Sequence, residues 1–386
     1  MNNYKTPWMT EELRILFDSV KKFAEIELLP DTEKWREQGY VDRAAWRKAG
    51  GMGILCASIP EIYGGLGGNF FHEAVINDAL VKAGVQSGLG LGASVHSQIV
   101  AHYILSYGNE EQKMRWLPKM ATGEFIGAIA MTEPGTGSDL QGIKFSAVQE
   151  GDHYLLNGQK TFISNGQLAD IIVMAVKTDP LAKGTGLSLI VVETDGLKGF
   201  ERGRNLKKIG LKDQDTSELF FNDCRVPATN LLGADAGQGF RQLKDQLVQE
   251  RLGIACTAVS VMECAINETL KYVAERKAFG KSIAQFQNTQ FKLAECATIA
   301  TVAKTFVDQL IADHVVGQLD VTRVCMAKWW TTDMQVQIVD ECLQLHGGYG
   351  YMQEYPIARM FVDSRVQRIY GGTNEIMKDM VARSLM

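Results

Sequence analysis

The chain reads as an α+β protein of three domains: an N-terminal α-helical domain (1–125), a central antiparallel β domain (126–232) and a C-terminal four-helix bundle (233–386). Three observations predict this. Apolar residues near the start recur at three- and four-residue spacing, the period of a helix face. Between Ile126 and Glu218 that period gives way to short apolar or alternating runs, the pattern of strands. Beyond Pro227 no proline occurs until Pro356, and helical periodicity returns. At 386 residues the chain is also longer than one hydrophobic core usually serves.

In the first domain Leu13, Leu16, Phe17, Val20, Phe23 and Ala24 share one helix face. Pro30 should end that helix, because proline lacks the N–H and its ring clashes with the preceding turn. The run 63–68, Y-G-G-L-G-G, reads as a loop, and further helices follow to about Leu117. Strands are predicted at 154–156, 171–176, 187–192 and 219–221. Asn157-Gly158, directly after the first, is a strong signal for a two-residue hairpin turn. In the last domain Phe291, Ala294, Val302, Phe306, Leu310 and Ile311 read as the buried stripe of a long helix, which a bundle would cover.

Composition narrows the classes of function. The net charge is −5 and no basic stripe occurs, which argues against nucleic-acid binding. No run of ~18 apolar residues exists, so no membrane span is expected. Seven scattered cysteines, none in a C-x-x-C pair, read as reduced thiols. No histidine spacing suits a metal, since His72-Glu73 lacks the second histidine of a zinc helix. The opening M-N-N-Y-K-T-P-W has neither a signal-peptide core nor a transit pattern. A soluble, cytoplasmic protein of bacterial type is the expectation.

The most informative segment is 130–139, A-M-T-E-P-G-T-G-S-D. Pro134 forces the residue before it into an extended conformation. Gly135 and Gly137 let backbone N–H groups approach something bulky, and Thr132, Thr136 and Ser138 add hydroxyl donors. Such a turn suits a planar cofactor with a phosphate tail, although an ordinary polar turn has the same composition. Two other phosphate-site patterns fail. Gly280-Lys281-Ser282 lacks the first glycine of a P-loop, its position being Glu275. The run Gly88–Ala93 matches a loose G-x-G-x-x-A, but no strand precedes it.

The segment 130–139 resembles the flavin-binding signature of the acyl-CoA dehydrogenases. N-G-Q-K-T-F-I-S-N-G (157–166), E-R-K-A-F-G (275–280), Q-L-H-G-G-Y-G (344–350) and I-Y-G-G-T-N-E-I (369–376) agree with that family in its order. The resemblance spans nearly the whole chain and implies the family's fold, FAD as cofactor, and α,β-dehydrogenation of an acyl-CoA thioester to the trans-2-enoyl-CoA. That reaction needs a base for the α proton, a flavin N5 to accept the β hydride, and donors to the thioester oxygen.

Many family members carry the base as the glutamate of a Y-E-G-T motif. Here that motif is Tyr370-Gly371-Gly372-Thr373, and a glycine cannot take a proton. Isovaleryl- and long-chain-type members place the base on an earlier helix, directly before an arginine. Q-L-V-Q-E-R-L-G-I-A (246–255) matches them, which makes Glu250 the candidate base beside Arg251. Without the resemblance, a glutamate next to an arginine on a helix is usually an exposed charge. The Gly371 N–H is expected to bond the thioester carbonyl, and its missing side chain to leave room at the substrate's α carbon.

Other site residues follow from the resemblance by position. Met131, Thr132, Gly137 and Ser138 would meet the flavin and its pyrophosphate, Phe162 would flank the ring and Ser164 approach N5, while Thr373 and Glu375 would complete the adenosine-diphosphate part. Arg276, Phe279, Gln287, Gln344, Gly347 and Gly348 would serve the partner subunit's FAD. Arg276 lies 26 residues beyond Glu250, about 39 Å along a straight helix, too far for one flavin to reach both. The resemblance implies a homo-oligomer, with a dimer of dimers as the family's arrangement. Substrate contacts are assigned to Gly92, Val95, Ser138, Arg251, Tyr370 and Gly371. The run Gly88–Ser94 is poor in bulk, which suggests a long or wide acyl pocket. The runs 208–221, 94–97 and 369–378 resemble the long-chain type, which handles long and branched chains; medium-chain or terpenoid substrates stay open. Electron-transfer flavoprotein is the implied electron acceptor. An oxidase using O₂, disfavoured by the length, and a non-catalytic acyl-CoA or flavin-binding protein, prompted by Gly371, are the rival readings.

Overall fold

The computed structural model describes residues 4–182 and 184–386. Helix α1 (Glu11–Glu27) starts where the Thr10 side chain accepts from the Leu13 N–H, and it stops before Pro30. It buries Leu13, Val20 and Ala24, three of the six residues predicted to share its inner face. Helices α2 (Thr32–Gln38), α3 (Arg43–Gly51), α4 (Phe70–Lys82), α5 (Leu91–Ser94), α6 (Ala101–Tyr107) and α7 (Glu110–Ala121) complete the first domain. Around α5 the chain winds in wide turns at Gln86–Gly90 and Val95–Val100, and Ser87 and Gly88 leave helical geometry altogether.

The middle domain is one seven-stranded sheet of β1 (Gly127–Ala130), β2 (Ser146–Glu150), β3 (His153–Ser164), β4 (Ile171–Lys177), β5 (Leu187–Glu193), β6 (Phe200–Asn205) and β7 (Thr216–Pro227). The path runs β1-β4-β2-β3-β7-β6, with β5 on β4. Most pairs are antiparallel as expected, but β1 and β2 both lie parallel to β4. The apolar runs of β4 and β5 are buried on both faces.

The hairpin expected at Asn157-Gly158 does not form there. The chain turns at Gly151-Asp152, and β3 runs straight through 157–158 with an irregularity in its pairing to β7. Both signals have other causes. Asn157 exchanges hydrogen bonds with the N–H and carboxylate of Asp223 across that irregularity. A side chain at Gly158 would stand 2.6 Å from the Phe145 ring, so glycine serves close packing here.

The third domain contains α8 (Gly239–Glu275), a two-stranded hairpin of β8 (Lys277–Ala278) and β9 (Lys281–Ser282), α9 (Gln287–Val315), α10 (Val321–His346), α11 (Pro356–Ser364) and α12 (Asn374–Leu385). The stripe read on α9 mixes two faces. Leu310 and Ile311 are buried with Cys296, Ala300, Ala303 and Val307, whereas Ala294, Phe291 and Val302 are exposed, the last two by 57% and 53%. At 3.6 residues per turn 291, 294 and 302 fall opposite 296, 300 and 303. Small alanines, not the bulkier residues, face the neighbouring helices. Helix α4 packs on α8 through Asn77 to Thr257 and Ser260 to Asp78, so the first domain is fastened to the bundle directly. No helix among the described residues is long and apolar enough to cross a membrane.

Candidate active site

The central stretch of α8 carries Glu250 and Arg251, both buried. The segment Val95–Val100 crosses α8 here: Gln249 donates to the Gln98 carbonyl at 2.8 Å, and Gly253 admits the Gln98 side chain, 2.8 Å from where a Cβ would stand. From α6 the hydroxyl of Tyr103, itself fully buried, donates to Glu250 Oε1 at 3.0 Å. Burial raises the Glu250 carboxyl to about 7, against the Tyr103 hydrogen bond and the Arg251 charge, which both lower it. A carboxylate of that proton affinity in a dry site is equipped to accept a proton near neutrality.

Arg251 links this point to the C-terminal turn, where its Nε donates to the Gly371 carbonyl at 3.0 Å. The next carbonyl, Gly372, accepts from Lys328 Nζ at 2.7 Å, and Lys328 also reaches Asn374 Oδ1 at 3.0 Å. Gly371 and Gly372 both have positive φ, +65° and +91°, so two bonded carbonyls in a row fix a turn that ordinary residues resist. Among the described residues no acceptor takes the Gly371 N–H, which leaves it available to a ligand. Lys328 is fully buried, and burial pulls its ammonium down to about 8.

The expected void beside Gly371 is filled. A Cβ there would lie 2.4 Å from Ile254 Cδ1, so the methyl one turn beyond Glu250 occupies the space the usual side chain would take. The glycine-rich run 88–92 likewise does not mark an open pocket. Missing side chains at Gly88, Gly90 and Gly92 are replaced by Asp213, the Val85 carbonyl, and Trp46 with Asn165, each within 3.0 Å. Gly92 and Val95 are buried, and Tyr370 is partly buried in the turn beside Arg251.

A second cluster lies on the β domain. After β1 the chain makes the turn predicted from Pro134, with Glu133 and Thr136 bonded to each other through their backbones. Behind it the buried Lys160 donates to the Met131 carbonyl at 2.9 Å and to Glu133 at 3.0 Å, and Glu133 also accepts from the N–H groups of Lys144 and Phe145. The Thr161 N–H bonds the Thr132 carbonyl, so the 130–139 and 157–166 motifs are joined. Phe162 sits in an irregular stretch of β3 with φ +60° and its ring 66% exposed. A phenylalanine held in the left-handed region carries backbone strain, and its exposed ring offers an apolar surface for a ligand to cover. Ser164 ends β3, Ser138 and Gly137 are exposed on the turn, and a side chain at Gly135 would meet nothing within 4 Å. An exposed ring, a glycine turn with free space and outward hydroxyls fit a flavin and its phosphates. Asn165 donates to the carbonyls of Gly92 and Gly127, tying this cluster to the first domain.

The remaining residues gather elsewhere. Arg276 ends α8, and a cleft of ≈ 550 Å³ there is lined by Arg276, Gln344, Gly347, Gly348, Tyr272 and Tyr349 among others. Phe279, at the tip of the β8–β9 hairpin, is 96% exposed with φ +51°, and Gln287 opens α9. Because α8 is one unbroken helix, this cleft is about 39 Å from Glu250 along its axis. Thr373 caps α12, accepting from the Ile376 N–H, and in its first turn Glu375 has its carboxyl lowered by hydrogen bonds from its own N–H and from the Thr373 side chain. Tyr103, Lys328 and Ile254 could not be read from the sequence. A tyrosine, a lysine and an isoleucine on helices carry no local pattern that marks them.

Two helical domains flank a sheet, a buried carboxylate lies where they meet and an exposed ring stands by a glycine turn, an arrangement that suits a flavin-dependent oxidoreductase. Family descriptions match in three consecutive parts: acyl-CoA dehydrogenase N-terminal domain at 10–124, middle domain at 128–224 and C-terminal domain at 237–386. The chain belongs to the acyl-CoA dehydrogenase family. The mitochondrial long-chain specific acyl-CoA dehydrogenase of Sus scrofa is 47% identical over 98% of this chain and 87% of its own. The mitochondrial isovaleryl-CoA dehydrogenase of Pongo abelii is 32% identical over 97% and 89%. The crystal structure of an acyl-CoA dehydrogenase from Geobacillus kaustophilus superposes with a TM-score of 0.95 at 50% identity, covering 99% of this chain and 100% of that one.

Proposed function

We propose that this enzyme dehydrogenates a long or branched acyl-CoA to its trans-2-enoyl-CoA, with Glu250 removing the α proton. The observation that carries the reading is the buried Glu250 carboxyl, raised to about 7, one residue from the arginine that binds the Gly371 turn. The carboxylate takes the proton while the Gly371 N–H bonds the thioester oxygen, where negative charge develops. FAD, when bound, supplies the acceptor for the β hydrogen and its electron pair. Met131, Thr132, Gly137, Ser138, Phe162 and Ser164 would hold it, with Thr373 and Glu375 at its adenosine-diphosphate end. The cleft at Arg276, Gln344, Gly347 and Gly348 would take part of a second subunit's FAD, which makes a homo-oligomer part of the proposal. The exposed Phe291 and Val302 on α9 support such an assembly. Likeness to a long-chain specific relative supports the chain length, and electron-transfer flavoprotein is the proposed acceptor in a cytoplasmic, bacterial setting.

Anaerobic bleaching of the bound flavin by palmitoyl-CoA tests this. Wild type should bleach rapidly and Glu250→Gln at least a hundredfold more slowly; equal rates would remove Glu250 from the role of base.

A further inference from the structure

We propose that Tyr103 is the positioning residue of this base: its hydroxyl fixes one oxygen of the Glu250 carboxylate and leaves the other to receive the proton. The inference rests on the reading of Glu250 as base. Tyr103 and Glu250 stand 147 residues apart in different domains, yet their oxygens meet at 3.0 Å, and both side chains are buried. Among the described residues no other side chain or N–H donates to this carboxylate, so Oε2 has no protein donor and Oε1 has one. A glutamate side chain has several rotatable bonds, and among the described residues the Tyr103 bond is the one hydrogen bond from protein that holds this carboxylate. Fixing it at one oxygen directs the lone pairs of the other, which is where geometry governs proton transfer.

The same bond opposes burial. A hydroxyl that donates to the ionised form favours that form, whereas the dry site favours the neutral one. The other groups around Glu250 are engaged elsewhere. On α6, Tyr107 bonds the Gln242 carbonyl and approaches Asp245, while His102 meets Ser58 Oγ and burial holds it at about 4. His314 on α9 meets Gln249, and burial lowers it too. Lys328 on α10 holds the Gly372 carbonyl. Arg251 lowers the proton affinity of Glu250, but its Nε is committed to Gly371. Tyr103 is therefore the group whose removal changes Glu250 with the least disturbance of anything else.

The test is Tyr103→Phe in the flavin-loaded full chain, which keeps the ring and deletes the oxygen. The protonated Glu250 carboxyl is titrated by its infrared C=O band, assigned by its loss in Glu250→Gln, and kcat/KM for palmitoyl-CoA is followed against pH. The band midpoint should rise by about one to two pH units, the equivalent of a hydrogen bond to a charged group. At pH 7 kcat/KM should fall by at least about fivefold to fiftyfold, and part of the loss should persist above the new midpoint, where the carboxylate is ionised but no longer held. Adding Tyr103→Phe to Glu250→Gln should cost nothing further. Flavin content and melting temperature like those of wild type confirm the fold. An unchanged band midpoint, or full recovery of kcat/KM above the new midpoint, would overturn the proposal. The two readings separate cleanly: if Glu250→Gln still bleaches at the wild-type rate the base is wrong, and if it does not while Tyr103→Phe leaves the midpoint in place, only Tyr103 is wrong.

Discussion

Replacing Gly371 by alanine tests how this chain fills the position where the Y-E-G-T motif it resembles has a glutamate. Two costs are expected. The residue has φ +65°, and placing a Cβ in the left-handed region costs roughly 1–2 kcal/mol. The new Cβ would also stand 2.4 Å from Ile254 Cδ1, an overpacking cost of about 1–3 kcal/mol. Ile254→Val deletes that one methyl, by itself a loss of about 0.5–1.5 kcal/mol. The next nearest atom, Ile254 Cγ1, is 3.9 Å away, an ordinary contact. In the valine background Gly371→Ala should therefore cost only the backbone term. The two changes together should be less damaging than their sum by about 1–3 kcal/mol. Urea unfolding of the flavin-loaded protein at fixed concentration, read as shifts of midpoint for the four members of the cycle, measures this. Additive shifts would show that Ile254 does not occupy the space at Gly371.

Two further outcomes are expected. Lys328→Met strips the donor from the Gly372 carbonyl and from Asn374, so unfolding should move to lower urea by the equivalent of about 2–4 kcal/mol. Anaerobic flavin bleaching should slow with it as the Gly371 N–H loses its setting, and normal bleaching would show that the turn holds its shape without the lysine. Phe162→Gly should relieve the left-handed strain, leaving the flavin-free protein as stable as wild type or about 1 kcal/mol more so, while flavin titration shows weaker binding. Unchanged flavin affinity would sever Phe162 from the cofactor.

Much of the fold was legible because it rests on local periodicity. The α1 face, the apolar runs of β4 and β5 and the proline-free stretch that became α8, α9 and α10 are patterns a few residues wide, and each formed close to where it was read. Glycine was the recurrent source of error. Gly158, Gly88 and Gly92 read as turn or open space, yet each admits a ring, a carboxylate or an amide from elsewhere along the chain, and Gly90 admits the Val85 carbonyl five residues before it. A glycine signals only that a side chain is not tolerated; whether solvent, ligand or protein stands there depends on the rest of the molecule.

Sequence by itself determined the family, the three domains and the candidacy of Glu250, since motifs in a fixed order survive without coordinates. It also placed Arg276 about 39 Å beyond Glu250 along α8, because an unbroken helix converts residue number into distance. Tertiary structure alone decided what surrounds Glu250 and the Gly371 turn. Tyr103 from α6, Lys328 from α10 and the Ile254 methyl meet around Glu250 and Gly371 from separate helices. Proton affinity, the direction of a lone pair and the filling of a void depend on atoms a few ångströms away in space, and spacing along the chain does not encode which atoms those are.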